Sequence, residues 1–262
     1  MNRVIGSVVE AHRPDPIRVA EIFRNNQRTL YGIVLVAGHP LGGEAGAALE
    51  GWLESLTPLS IQRPLATPPS LHVTLGTVCR EQEAAIRRDD LAGIDFDGVL
   101  HAIAATQPFE IEFRRAGYGE DANGRRDGNV VIEAEGSAAL PRLRAAFAAA
   151  GVTTSFREPV GSTKAFLTLA HLGAGAATHW RGVDEWMEAV NRSLASAPRA
   201  FRATELKAVL FSRRILTDTV VPDFAIPLGM PGPFACGADF KEALLRGFEN
   251  ARESQRASAA GD

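Results

Sequence analysis

The order strand, helix, strand, helix, strand is written twice in this chain at a nearly constant spacing, and that recurrence constrains the fold more than any other feature. Val131 stands 98 positions after Ile33, Thr168 stands 94 after Thr74, and Leu206 stands 97 after Phe109. The likeness is one of pattern, not of residue identity, and it implies duplication of a single supersecondary unit. In the first copy, the short apolar run 31–37 is bounded by His39-Pro40 and Gly42-Gly43 and reads as a buried strand. A helix follows with Ala45, Leu49, Trp52, Leu53 and Leu56 on one face. The stretch Leu71-His72-Val73-Thr74-Leu75-Gly76-Thr77-Val78 alternates with period two, so Leu71, Val73 and Leu75 face one way and His72 and Thr74 the other. A helix over 96–106 and a strand that alternates Phe109, Ile111 and Phe113 with Glu110, Glu112 and Arg114 complete the unit.

After the polar turn 119–128 the second copy begins with a strand over 129–134. Ser137 is placed to cap a helix that carries Leu140, Leu143 and Phe147 on one face and stops at Gly151. A strand over 165–170, a helix with Val183, Trp186, Met187, Val190 and Leu194 at helical spacing, and strands over 206–211 and 224–228 follow. The predicted class is α+β, with two duplicated lobes whose antiparallel sheets flank a central cleft. The lobes span roughly 31–118 and 129–229, an arrangement that admits exchange of strands between them. Residues 1–30 form a helical extension, with Asp15-Pro16 starting a helix through Ile17, Val19, Ala20, Ile22 and Phe23. Residues 230–262 add a short amphipathic helix with Phe240, Leu244, Leu245 and Phe248, then a disordered tail from Glu253.

Composition narrows the partners. The 262 residues are 45% hydrophobic, enough for a substantial core, and the net charge of −3 carries no signature of binding to long duplex nucleic acid. Cys79 and Cys236 are far apart and form neither a disulfide framework nor a cysteine metal site, which fits a reducing cytoplasm. No apolar stretch approaches the ~20 residues that span a bilayer. His12, His39, His101, His171 and His179 share no metal-ligand spacing with one another, so neither a metal nor another cofactor is expected. Gly42-Gly43 and Gly173-Ala174-Gly175 lack the setting of a dinucleotide or phosphate loop, and no serine elbow occurs.

The chemistry concentrates on the two middle strands. A histidine and a threonine two positions apart project from the same side of a strand, about 6–7 Å apart, which suits them to address one phosphate group. Two such strands side by side would bring two imidazoles and two hydroxyls together: one imidazole as general base, the other as general acid, and the hydroxyls on non-bridging oxygens. On Leu71-His72-Val73-Thr74-Leu75 and the matching Ala165-Phe166-Leu167-Thr168-Leu169-Ala170, the chain resembles the two-histidine (2H) phosphoesterase superfamily over residues 31–229. That family includes RNA 2′,3′-cyclic phosphodiesterases and 2′-5′ RNA ligase-like proteins with a pseudo-symmetric bilobal fold. The resemblance implies His72 as acid/base residue, Thr74 and Thr168 as phosphate ligands, a metal-independent reaction, and a small nucleotide or short RNA as substrate.

Phe166 stands where the family places its second histidine, and a phenyl ring exchanges no proton. It is either core filling or an aromatic platform for a flat ligand. His171 is the nearest substitute, but in a regular strand its parity puts it with Leu167 and Leu169 on the core side, and only a bulge or strand end near Ala170 would redirect it. Lys164, Arg157 and the loop Gly161-Ser162-Thr163 precede the second motif and either present cation and hydroxyl groups to an anion or form a solvated loop. Three functions stay open: a phosphodiesterase, a degenerate nucleotide- or anion-binding protein, and a scaffold turned to a non-nucleotide substrate.

Overall fold

A computed structural model describes residues 30–38, 41–56, 59, 71–82, 88–120, 126–154, 159–171, 180–197, 199–212, 215–216 and 224–259. The helix expected over Ile17 to Phe23 lies outside them. The first unit contains β1 (Leu30–Ala37), α1 (Gly43–Leu56), β2 (Val73–Gln82), α2 (Phe96–Ala105) and β3 (Phe109–Glu120). The second contains β4 (Arg126–Gly136), α3 (Ala139–Ala149), β5 (Lys164–His171), α4 (Trp180–Ser196), β6 (Arg199–Ala203), β7 (Glu205–Ser212), β8 (Ile215–Leu216) and β9 (Ala225–Pro227). Helix α5 (Gly237–Ala259) closes the described chain. The class is α+β, and every strand pairing is antiparallel.

Among the described residues two sheets form, in the orders β2-β1-β7-β8, with β9 also on β7, and β5-β4-β3-β6. The third strand of each unit crosses over: β3 joins β4 and β5, and β7 joins β1 and β2. This exchange ties each half to the other through main-chain hydrogen bonds. The motif strands β2 and β5 end up at the edges of their sheets and pack against one another.

One core runs through both halves. It takes Ile33, Leu35, Val73 and Leu75 from the first sheet and Ile132, Ala165, Leu167 and Leu169 from the second, together with Leu49, Leu143, Phe147 and Val190 from the helices. Burying a side chain of this size is worth about 1.5–3 kcal/mol, so the alternation on these strands fixes which face meets the helices. Val34, Val36 and Val209 form a separate buried cluster on the opposite face of the first sheet.

The helix ends follow their local chemistry. Asp95 caps α2, its carboxylate accepting the Gly98 N–H at 2.9 Å. Ser137 lies one position ahead of the cap of α3, which is Ala138. Its hydroxyl accepts the Ala139 N–H at 3.3 Å and its carbonyl accepts the Leu140 N–H at 3.0 Å, a turn just before the helix instead of a side-chain cap. The tail expected to be disordered from Glu253 is helical through Ala259. Its helix is anchored by Phe240, Leu244 and Phe248 in the common core and by the Gly237 N–H on Asp97, 2.6 Å.

Strand register corrects the spacing of the repeat. Val36 lies opposite Thr74 as Val131 lies opposite Thr168, so Val36, not Ile33, is the counterpart of Val131. Leu35 pairs with Ala208 as Val130 pairs with Tyr118, which makes Ala208 the counterpart of Tyr118. The first two strands therefore keep a shift of 95 and 94 residues, and the third strand shifts by 90. The interval from second to third strand is thus four residues shorter in the second unit, and the bulge at Arg114 in β3 accounts for one of them.

Candidate active site

Both motif strands carry an extra residue at the same place. In the first sheet, Val36 pairs with Thr74 and Leu35 with Gly76, which leaves Leu75 unpaired. In the second, Val131 pairs with Thr168 and Val130 with Ala170, which leaves Leu169 unpaired. Each bulge immediately follows the motif threonine, and each reverses the parity of what comes after it. Position 77 thereby comes into phase with His72 and Thr74, and position 171 with Phe166 and Thr168.

Burial agrees with this phase. His72, Thr74, Thr77, Phe166 and Thr168 are half-buried, whereas Leu71, Val73, Leu75, Leu167, Leu169 and Ala170 belong to the core. Position 171 pairs with Asn129, which is itself half-buried, as Thr77 pairs with Val34. The regular-strand expectation for His171 thus fails at Leu169, and the physical reason is the one-residue bulge. The alternation itself carried the hint: Leu169 and Ala170 are consecutive apolar residues, and Thr77 breaks the period set by Leu71, Val73 and Leu75.

Strand β2 is also held from the second half. Thr77 and Thr153 exchange two main-chain hydrogen bonds, 2.7 and 3.0 Å, so the segment after α3 bridges to the motif strand of the first half. Behind β5, Arg144 of α3 is fully buried and donates from Nη1 to the carbonyls of Ser162, 3.0 Å, and Lys164, 2.6 Å. That guanidinium pins the loop leading into the second motif to the helix beneath it.

Of the loop groups nominated as anion ligands, the hydroxyls of Ser162 and Thr163 have partners within the loop and on β4. The Thr163 hydroxyl donates to Glu135 at 3.1 Å, and the Ser162 hydroxyl accepts the Lys164 N–H at 3.1 Å. Lys164 begins β5 with an exposed side chain at the position opposite Glu135. Arg157, His12, His39 and His179 lie outside the described residues, and His101 is exposed on α2. Among the described residues no group of three or more His, Cys, Asp or Glu side chains is placed to hold a metal ion. Among them also, no helix is long and apolar enough to cross a membrane.

The two halves differ beside their motif positions. Phe166, Glu133 and Arg115 form one row across β5, β4 and β3. Arg115 binds Glu133 with two parallel hydrogen bonds, Nε to Oε2 at 2.7 Å and Nη2 to Oε1 at 2.8 Å. Donating these hydrogen bonds to Glu133 raises the pKa of the Arg115 guanidinium above its ordinary value, against the opposing effect of burial. In the next row Arg114 bridges Glu135 and Glu112.

In the first half the same offsets lead to His72, Gly38 and Glu205, but the pairing ends at Ala37, opposite Val73 and Leu206. Gly38 leaves the strand at φ +70°, and Leu41 and Phe201 fill the space a side chain would take there. A cavity of about 390 Å³ opens between the end of β1, the start of α1, β6 and β7, with Val36, Gly38, Phe201, Glu205 and Lys207 on its wall. Sequence reasoning missed Thr77, Glu133, Arg115 and this cavity, because all four depend on strand register.

No family model matches the sequence, and no curated protein does. Solved structures do. Kluyveromyces marxianus Usb1 with uridine monophosphate is 11% identical, over 72% of this chain and 99% of that one, with a TM-score of 0.39. E. coli LigT complexed with 3′-AMP is 13% identical, over 69% of this chain and 88% of that one, with a TM-score of 0.36.

Proposed function

We propose that this chain is a phosphodiesterase that opens a cyclic phosphate or cleaves a short oligonucleotide by side-chain acid/base catalysis. The observation that carries this reading is the matched pair of bulges after Thr74 and Thr168. They leave two triplets in phase, at positions 72, 74 and 77 on one strand and 166, 168 and 171 on a strand packed against it, all polar but Phe166. Thr74 and Thr168 are suited to donate hydroxyl hydrogen bonds to non-bridging phosphate oxygens, where charge grows as the fifth oxygen bonds to phosphorus. His72 is one proton carrier. His171, three positions beyond Thr168 but in phase with it, replaces the imidazole that Phe166 does not supply.

In the reaction one imidazole takes the proton of water as its oxygen bonds to phosphorus. The other gives a proton to the ribose oxygen as its bond to phosphorus breaks, leaving a phosphomonoester and a free hydroxyl. Positioned general acid/base groups contribute about 10²–10⁴ each to such a rate. Hydrolysis of uridine 2′,3′-cyclic phosphate by the purified chain is the test. His72→Ala and His171→Ala should each lower kcat by about that factor. Absence of turnover at high enzyme concentration would exclude the reading.

Phe166 favours a second reading. A half-buried ring beside a carboxylate already bound by Arg115 leaves that row without a free proton carrier, as in a protein that binds a nucleotide and leaves it intact. Calorimetry that shows tight nucleotide binding, with product absent on long incubation, would select it over the first.

A further inference from the structure

Lys207 stands in the cross-strand row of the first motif threonine. Val36 pairs with Thr74 on one side and with Lys207 on the other, so the three side chains share one face of the first sheet, across β2, β1 and β7. That face is turned away from the common core, since Val36 is buried with Val34 and Val209 in the separate cluster. In the second half the matching row runs Thr168, Val131, Gly117 and carries no charge.

The ammonium is loosely held. The Lys207 side chain is 23% exposed, and Glu205 Oε1 lies 3.7 Å from Nζ, beyond hydrogen-bond range. Among the described residues no acceptor is hydrogen-bonded to Nζ. A charge drawn partly out of water is stabilised by close partners, and a contact of this length with a half-exposed carboxylate is a weak one. Neighbouring strands lie about 4.8 Å apart, so roughly 10 Å separates the backbones of Thr74 and Lys207. A lysine carries its charge on a flexible four-carbon stem, and an oxyanion resting on the Thr74 hydroxyl comes within its reach across Val36.

We propose that Lys207 binds the phosphate of the substrate together with Thr74, which rests on the reading above that Thr74 holds that phosphate. The ammonium meets a non-bridging oxygen, and the contact strengthens as charge collects there when the fifth oxygen bonds to phosphorus. As a point charge without a fixed fork, it follows the oxygen through that change.

Calorimetry of the full chain with inorganic phosphate and with uridine 3′-monophosphate reads the contact apart from turnover. Lys207→Met and Lys207→Gln remove the charge with two different side chains, so one folded variant suffices. Lys207→Arg keeps the charge, and Glu205→Gln removes the carboxylate beside it. In chains whose melting temperature matches the parent, loss of the charge should weaken both ligands by about tenfold to a hundredfold. Lys207→Arg should weaken them by less than about threefold, and Glu205→Gln should not weaken them. Toward uridine 2′,3′-cyclic phosphate, the neutral variants should lower kcat by about tenfold or more, with a smaller rise in KM. An ion pair that only supports the sheet gives a different pattern: the neutral variants and Glu205→Gln lower the melting temperature alike and leave phosphate affinity unchanged. That pattern, or a parent chain without affinity for phosphate, overturns the proposal, even where hydrolysis dependent on His72 persists. Phosphate affinity that needs the Lys207 charge, in a chain that hydrolyses no cyclic phosphate, upholds the contact and overturns the catalytic reading alone.

Discussion

Gly76→Ala measures how tightly the motif strand of the first half is held by the second. Gly76 follows the bulge at Leu75, and a methyl there would sit 2.5 Å from Val152 Cγ1 and 3.4 Å from Phe147 Cδ2. Val152 is 2% exposed and β-branched, so it has little freedom to rotate away. The counterpart of Gly76 on β5, Ala170, carries such a methyl in the core. Overpacking of this kind costs about 1–3 kcal/mol. Relief by letting go of the two Thr77–Thr153 hydrogen bonds would cost about 0.5–1.5 kcal/mol for each. The restricted unfolded chain returns about 0.4–1 kcal/mol. Kept or relieved, the strain costs about 2 kcal/mol at mid-range, and after that return the net loss is about 1.3 kcal/mol.

Urea unfolding followed by tryptophan fluorescence reads this loss directly. The same substitution in a Val152→Ala background should cost less than about 0.5 kcal/mol, because the colliding methyl is gone. An equal cost in both backgrounds, or a Gly76→Ala chain as stable as the parent, would refute the close approach as the cause.

Arg144→Met should destabilise by about 2–4 kcal/mol, since the carbonyls of Ser162 and Lys164 lose a buried charged donor, and limited proteolysis should then cut first within 159–163. A chain of parental stability would mean that the guanidinium only fills space. Phe166→His should raise turnover of a cyclic phosphate at least tenfold if the site keeps phosphodiesterase geometry, and an unchanged rate would speak against an in-phase position at 166. Glu133→Gln should change stability by less than about 1 kcal/mol, because Arg115 is more than half exposed and its pair is screened by water. A larger loss in urea unfolding would show that the Arg115–Glu133 row supports the sheet.

The duplication, the helix faces and the motif strands were legible in the sequence because burial stamps periodicity on it. Leu49 and Leu53, Val183 and Val190, and the alternation from Leu71 to Leu75 each record one apolar face. His72, Thr74, Phe166 and Thr168 were legible for the same reason, since they fall between core positions. A bulge, in contrast, is a decision between two strands. Leu169 is extra only relative to Val130 and Val131 on its neighbour, and the phase of His171 follows from that pairing. The alternation broke at Gly76-Thr77 and at Leu169-Ala170, but a break alone does not say which face resumes.

Helix α5 was misjudged at its far end because its later residues are polar, while its anchor is the insertion of Phe240 and Phe248 between distant elements. The chain by itself determined that two similar halves would each set a histidine-or-aromatic and threonine pair against a buried face. Tertiary structure decided which strands the halves exchange, where position 171 falls, and that Arg115 comes to clasp Glu133 in the row that holds Phe166. Those outcomes depend on which residues stand opposite one another across strands, and a linear order of side chains does not carry that relation.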